Sequence, residues 1–383
     1  MEIIQMVDLK RQYQKIKPEI DAAIAAIIDH TAFINGPAVK TFSAALQHYL
    51  DIKHVVPCAN GTDALQIALM ALGLQPGDEV ITPSFTYIAT VEVVALLRLK
   101  PVFVDVDAET FTMAPEALKK AITAKTKAII PVHLYGHSAP MKEILAIAQE
   151  HHIPVIEDNA QAIGSYTFPD GTTKKNGTMG TIGCTSFFPS KNLGCYGDGG
   201  AIFTNDDTLF EKMAMIANHG QKERYYHEMV GCNSRLDSIQ AAVLAIKLKE
   251  LDHYCDARRA AADYYDRAFA DNEFITTPFR ADYSHHVFHQ YTLKLHEKVN
   301  RDELKNRLAE RGIPSMIYYP VPCHKQKMFA GLDGEKFDLP VTDQLTTCVL
   351  SLPIHTELTE EELAFISDNV NEIVRDLSAA GSI

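Results

Sequence analysis

Cys184-Thr-Ser-Phe-Phe-Pro-Ser-Lys-Asn-Leu-Gly-Cys-Tyr-Gly-Asp-Gly-Gly-Ala-Ile-Phe-Thr-Asn205 is the stretch from which the rest of this chain can be read. Lys191 is flanked by Ser186 and Ser190 on one side and by Gly194, Gly197, Gly199 and Gly200 on the other. Glycines remove side-chain bulk and permit unusual backbone angles, so a ligand can approach such a lysine closely. The apolar runs at 181–187 and 199–204 read as strands, which puts the lysine in the loop between them. Lys191 reads as a Schiff-base lysine and not as a solvated surface residue.

Two further segments support that reading. Ile153-Pro-Val-Ile-Glu-Asp-Asn-Ala-Gln161 is a short apolar run ending in acids, the pattern of a buried parallel strand that delivers Asp158 at its carboxyl end. His54-Val-Val-Pro-Cys-Ala-Asn-Gly-Thr62 is an apolar strand and a glycine turn, followed by Leu65, Leu69 and Leu72 at helical spacing. A helix amino terminus after a strand offers free N–H groups and a favourable dipole to a phosphate. A phosphate cradle, an acid and an amine after three strands meet the requirements of pyridoxal 5′-phosphate, whose ring nitrogen wants a carboxylate and whose aldehyde binds lysine. A carboxylate ~3 Å from that nitrogen at an effective dielectric of ~20 gives roughly 5 kcal/mol before desolvation. Half of that raises the nitrogen's pKa by about two units.

These segments, with Pro83-Ser-Phe-Thr-Tyr-Ile-Ala-Thr90 and Asn233-Ser-Arg-Leu-Asp237, resemble the DegT/DnrJ/StrS family of nucleotide-sugar aminotransferases from about Met6 to beyond Glu362. The resemblance implies an α/β protein of PLP-dependent transferase fold type I, aspartate aminotransferase-like. Such a fold has a mainly parallel central sheet and a smaller C-terminal α+β domain. It implies Lys191 as the cofactor-linked lysine, Asp158 as partner of the ring nitrogen and Gln161 on the cofactor's hydroxyl side. Gly61, Thr62 and Ser186 would hold the phosphate, Tyr87 (with Phe85 as the alternative) would stack on the ring, and Asn233 would reach the phosphate from the other subunit of a homodimer. Arg235, His219, Tyr319, His324 and Lys325 are candidates for the substrate side, with Arg235 or Lys325 nominated to meet a sugar carboxylate.

The implied partners are L-glutamate and a nucleotide-linked keto sugar. The run from Phe187 to Asp206 is most similar to aminotransferases acting at C3 of UDP-2-acetamido-2-deoxy-3-oxo-glucuronate, which serve surface-polysaccharide (O-antigen and lipopolysaccharide) synthesis. A dTDP-linked 3-keto-6-deoxyhexose and a C4 aminotransferase are the alternatives. A non-catalytic regulatory homologue is a further class, and a related dehydratase is disfavoured because it carries histidine where Lys191 stands. Two departures from the family pattern stand out: the polar Thr167–Gly177 stretch, expected as an exposed hairpin or loop, and Tyr318 where related enzymes often have histidine.

Composition agrees with this class. With 383 residues, 46% hydrophobic and 22% charged, the chain is long enough for two domains around buried cores. A net charge of −13 argues against nucleic acid as a partner. No apolar run suits a membrane span and the first residues do not resemble a signal peptide, so a cytoplasmic protein is expected. The seven cysteines lack Cys-x-x-Cys spacing, and His133 with His137 and the pair His285-His286 sit in connectors, so no metal is expected.

Strands are expected at 54–58, 78–82, 101–105, 127–132, 153–157, 181–187 and 199–204, alternating with helices such as Ala89–Leu97, Ala114–Ile122 and Met141–Glu150. From Ser234, a Ser-x-x-Asp box and a stripe through Leu236, Ile239, Val243, Ile246, Leu251 and Tyr254 predict one long connecting helix. Domains at 1–251 and 252–383 follow. In the second, strands are expected at 287–295 and 313–319 and helices at Arg301–Arg311 and Thr359–Leu377, the latter opened by Thr359-x-x-Glu362.

Overall fold

Successive strand residues point to opposite faces of a sheet, and here both faces are buried. The computed structural model describes residues 4–168, 171–331 and 337–380. Its strands are β1 (His54–Cys58), β2 (Glu79–Pro83), β3 (Lys100–Val104), β4 (Thr126–Ile129), β5 (Ile156–Asp158), β6 (Tyr166–Thr167), β7 (Lys174–Lys175), β8 (Ile182–Ser186), β9 (Gly200–Thr204), β10 (Gln221–Glu223), β11 (Tyr226–His227), β12 (Ile275–Thr276), β13 (Ser284–His285), β14 (Tyr291–Leu295) and β15 (Val349–Leu352). Its α-helices are α1 (Leu9–His30), α2 (Pro37–Leu50), α3 (Gly61–Ala71), α4 (Ala89–Leu96), α5 (Pro115–Ala121), α6 (Met141–Glu150), α7 (Asp207–Ala217), α8 (Ser238–Lys247), α9 (Leu251–Phe269), α10 (Arg301–Glu310), α11 (Pro340–Cys348) and α12 (Glu360–Ala380).

The central layer runs β3-β2-β4-β5-β8-β9-β1, with β4 joined to β5 through the bridges Ile129–Val155 and Val132–Asp158. The pairs from β3 to β8 are parallel, and β9 alone is antiparallel to both of its neighbours. Val56, Val80, Ala128, Ile156, Ile182 and Ile202 face α3 and α7. On the opposite face, Val55 and Phe203 pack on α2 and α8, while Ile81, Ile129 and Val155 pack on α5 and α6. This is the α/β arrangement that the alternating strands and helices predict, and each of the seven expected strands is present within a few residues.

Beyond Leu251 a second apolar cluster gathers Tyr265 and Phe269 of α9, Tyr291 and Leu293 of β14, Leu350 and Leu352 of β15, and Ile366, Val370 and Ile373 of α12. Its sheet is antiparallel, in the order β12-β14-β15. The segment 313–319 is not the expected strand; only Met316 bridges, to Ser351. The connecting helix is also not continuous, because a 3₁₀ turn at Leu248–Glu250 separates α8 from α9. Nor does Ser234 cap it. Helix α8 starts after Asp237, and the Ser234 hydroxyl instead accepts from the Ala59 N–H at 3.0 Å. The Thr167–Gly177 stretch forms a hairpin in which β6 pairs with β7 and with β13, residues 169–170 lying outside the described ones. Among the described residues no helix is long and apolar enough to cross a membrane.

The Thr359-x-x-Glu362 box forms as expected: the Thr359 N–H donates to Glu362 Oε2 at 2.9 Å and the Glu362 N–H to Thr359 Oγ1 at 3.2 Å. Glu362 Oε1 also accepts from Arg11 Nη2 at 2.8 Å, tying α1 to α12. Glu362→Ala should therefore lower stability by roughly 1–2 kcal/mol, read as the shift of a urea unfolding midpoint. No shift would show that neither the cap nor the pair contributes.

Candidate active site

Strands β1, β2, β4, β5 and β8 all end at the same edge of the sheet, where open α/β sheets collect ligands. Three chain segments approach there so closely that they leave no room for side chains. A Cβ on Gly61 would lie 2.7 Å from Ser186 Cβ, and one on Gly200 would lie 2.4 Å from the Asn60 carbonyl oxygen. Asn60 caps α3, its side-chain oxygen accepting from the Asp63 N–H at 2.8 Å, and its carbonyl accepts from Ala64. The N–H groups of Gly61 and Thr62 have no acceptor among the described residues. Two open N–H groups and the Ser186 hydroxyl thus border one cradle.

Asp158 ends β5 and is buried. Thr90 Oγ1 donates to its Oδ2 at 2.8 Å, the Ala160 N–H donates to Oδ1 at 3.1 Å, and Thr86 supports Thr90 at 3.1 Å. Burial pushes the Asp158 carboxyl above its ordinary value, against the pull of Thr90, Ala160 and the Lys191 charge. Lys191 is affected in the opposite sense: burial lowers its amine to about 8, while attraction to Asp158 holds it up. Each group disfavours its own charge through desolvation and favours the other's. A cationic ring nitrogen beside Asp158 would restore the carboxylate.

Gln161 is held at both ends of its amide, its Oε1 accepting from the Tyr135 N–H at 2.7 Å and its Nε2 donating to the Tyr319 hydroxyl at 2.9 Å. Tyr319 lies near Tyr87 and Phe85, with ring centres 6.2 Å from each. Tyr87 is 57% exposed, whereas Phe85 is buried against Phe111 and Tyr135, so Tyr87 is the ring free to stack on a ligand. The cradle, the amine and the acid together fit pyridoxal 5′-phosphate.

The remaining substrate-side candidates fall in different places. His324 is buried, with Nδ1 2.7 Å from the Ser84 hydroxyl, and Lys325 pairs with Asp343 at 2.7 Å. Arg235 is partly buried and has no ion pair among the described residues. His219 and Asn233 are exposed at the base of the β10–β11 hairpin, where Asn233 bridges to Asn218.

Sequence reasoning overlooked the support behind Asp158. Glu157 leaves β5 on the opposite face, fully buried, and accepts from the N–H groups of Gly177 (2.7 Å), Met179 (2.6 Å) and Gly180, and from His133 Nε2 at 2.9 Å. The Ala139 N–H donates to His133 Nδ1, which assigns the proton to Nε2. The His133 backbone N–H donates to the Asp158 carbonyl at 3.1 Å. The only sequence signal was the acid pair Glu157-Asp158 itself, because strand alternation forces adjacent acids onto different faces.

A profile of the DegT/DnrJ/EryC1/StrS aminotransferase family matches residues 14–371. The UDP-2-acetamido-2-deoxy-3-oxo-D-glucuronate aminotransferase of Pseudomonas aeruginosa is 47% identical over 95% of this chain and 98% of that protein. A pleiotropic regulatory protein of Geobacillus stearothermophilus is 46% identical over 97% of this chain and 99% of its own. The crystal structure of S. venezuelae DesV in complex with a ketimine intermediate superposes with a TM-score of 0.92 at 39% identity, covering 97% of this chain and 98% of that one.

Because burial depresses the Lys191 pKa, its neutral, nucleophilic form is populated from about pH 8 upward and not from the ordinary 10.5. Reductive methylation of Lys191 in cofactor-free protein, followed by peptide mass spectrometry across pH, should reach half its maximal rate near pH 8. A midpoint at 10.5 would contradict the buried setting.

Proposed function

The chain belongs to the DegT/DnrJ/EryC1/StrS aminotransferase family, and from that premise we propose that it transfers the amino group of L-glutamate to C3 of UDP-2-acetamido-2-deoxy-3-oxo-D-glucuronate. The observation that carries the reaction type is the half-buried Lys191 amine, lowered to about 8 by desolvation and within electrostatic reach of buried Asp158 beside an open N–H cradle. The 47% identity to the Pseudomonas aeruginosa enzyme supports the sugar.

The family's cofactor is pyridoxal 5′-phosphate, which supplies an electron sink and a carrier for nitrogen between two half-reactions. Gly61, Thr62 and Ser186 would hold its phosphate, Asp158 its ring nitrogen, Gln161 its hydroxyl side and Tyr87 its face. Thr90 and the Ala160 N–H keep the Asp158 carboxylate in one orientation. The Lys191 amine, half neutral near pH 8, would carry a proton between the substrate carbon and the cofactor's aldehyde carbon within each half-reaction, in opposite directions for donor and acceptor. Glu157 and His133 fix the strand end from behind, so Asp158 does not have to be reoriented during turnover.

The reading includes a homodimer with shared sites. The β10–β11 hairpin and the residues after it expose Tyr225 (75%), Tyr226 (67%) and Val230 (83%), apolar surface that suits a second copy, and the exposed Asn233 at its base would serve the partner's phosphate. It also includes domains at 1–251 and 252–383, a cytoplasmic location and a role in surface-polysaccharide (O-antigen or lipopolysaccharide) synthesis. The similarity to a pleiotropic regulatory protein favours a second reading, a regulatory homologue. Retention of Lys191, Asp158, Gln161, Ser186 and Thr62 weighs against loss of chemistry.

Lys191→Ala should abolish turnover, and Asn233→Ala should weaken it about tenfold or more by loss of a phosphate contact. Mixing the two variants after subunit exchange should restore activity, because one site of each mixed dimer then has both residues intact. Turnover is read as 2-oxoglutarate release with the 3-oxo sugar. Full activity of Lys191→Ala would sink the transaminase reading, and failure to complement would sink the shared site.

A further inference from the structure

Helix α8 runs against the turn that carries Lys191, and two of its residues, Gln240 and Lys247, are fastened to that turn. About two helical turns apart, they share one face of α8. The Lys247 ammonium is buried and donates to the Gly194 carbonyl at 2.6 Å, with its charge 5.5 Å from the centre of the Tyr196 ring. Gln240 grips the backbone of Tyr196 twice, its Oε1 accepting from the Tyr196 N–H at 2.8 Å and its Nε2 donating to the Tyr196 carbonyl at 3.2 Å.

The turn closes on itself around Lys191. The Lys191 N–H donates to the Phe188 carbonyl at 2.8 Å, and the Cys195 N–H donates to the Phe187 carbonyl at 2.8 Å. Gly194 lies so close to the incoming chain that a Cβ on it would stand 2.3 Å from the Pro189 carbonyl oxygen and 2.8 Å from that of Phe188. A shift of Gly194 therefore shifts the backbone on both sides of Lys191. Gly197 leaves the room that Gln240 occupies, since a Cβ there would stand 2.9 Å from Gln240 Nε2.

Stability alone accounts poorly for Lys247. No carboxylate pairs with it among the described residues, and burial holds the neighbouring Cys195 thiol up at about 11, so that it is uncharged. Its place in the last turn of α8 offsets only part of the lost hydration. An apolar side chain of similar volume is often as stable in such a setting as a buried charge. What the ammonium adds is a directed bond to one backbone carbonyl.

We propose that Lys247 and Gln240 are positioning residues for Lys191, bracing its turn from α8 and so fixing where its amine lies relative to Asp158. The proposal rests on the reading of Lys191 as the reacting amine. Neither residue has to touch cofactor or substrate; both act through the backbone from Gly194 to Tyr196.

The test compares the wild type, Lys247→Met and Gln240→Leu. In the cofactor-bound protein, nitrogen uptake from L-glutamate is followed by rapid mixing through the cofactor's absorbance. In the cofactor-free full chain, the pH midpoint for methylation of Lys191 is followed by peptide mass spectrometry. Misplacing a reacting group by ~1 Å costs up to ~100-fold, so both variants should lose roughly tenfold or more in the limiting rate constant while the half-saturating glutamate concentration changes less than about twofold. A looser turn admits water to the Lys191 amine and favours its ammonium, so the midpoint should rise from about 8 towards 10.5, by about one unit. Lys247→Met also removes a positive charge, which acts in the same direction; Gln240→Leu removes none and separates position from charge. Melting temperature reports folding. An unchanged midpoint and rate constant in a folded variant would overturn the brace, and so would a midpoint that rises in Lys247→Met alone. If borohydride fixes the cofactor of the wild type to another lysine, the reading of Lys191 fails instead, and the brace with it.

Discussion

A half-buried amine and a buried carboxylate share one edge of a mainly parallel sheet, and much of the molecule serves to keep them there. Desolvation raises the Asp158 pKa and lowers that of Lys191, so neither charge is comfortable alone. The remedy is local and geometric: Thr90 and Ala160 orient the carboxylate, and Glu157 with His133 clamps the same strand from its other face. Burying the Glu157 charge is tolerable because three backbone N–H groups and an imidazole N–H surround it. The glycines at 61 and 200 complete the arrangement by letting the strand ends and the α3 amino terminus meet without side chains between them.

The proposed anionic substrates would have to be met locally, because the chain carries a net charge of −13. On the proposed reading, binding would rest not on an overall field but on a few local groups, the open N–H groups of α3 and cations such as Arg235 near the hairpin base. Lys325, nominated from sequence for the sugar carboxylate, is already engaged with Asp343. Arg235 has no such ion pair among the described residues, which favours it for that role.

Most of the central layer was legible because strand burial on both faces writes apolar runs of four to six residues, and because Lys191, Asp158 and the Asn60-Gly61-Thr62 turn each follow such a run. The second cluster was less legible. Its strand β15 lies directly after α11 with no turn residue between them, and the apolar 313–319 segment packs without pairing. Ser234 was misread because a cap and a tertiary hydrogen bond have the same local sequence, and only the fold places Ala59 beside its hydroxyl. His133 was set aside as a connector histidine for a similar reason: its partner Glu157 is 24 residues away and hidden on the far side of β5.

Which nitrogen holds the cofactor decides whether Lys191 is the reacting amine. Borohydride reduction of the pyridoxal 5′-phosphate-loaded protein, followed by proteolysis and mass spectrometry, measures this directly. The prediction is a single phosphopyridoxyl group on the peptide containing Lys191. A label on another lysine, or none at all, would contradict it.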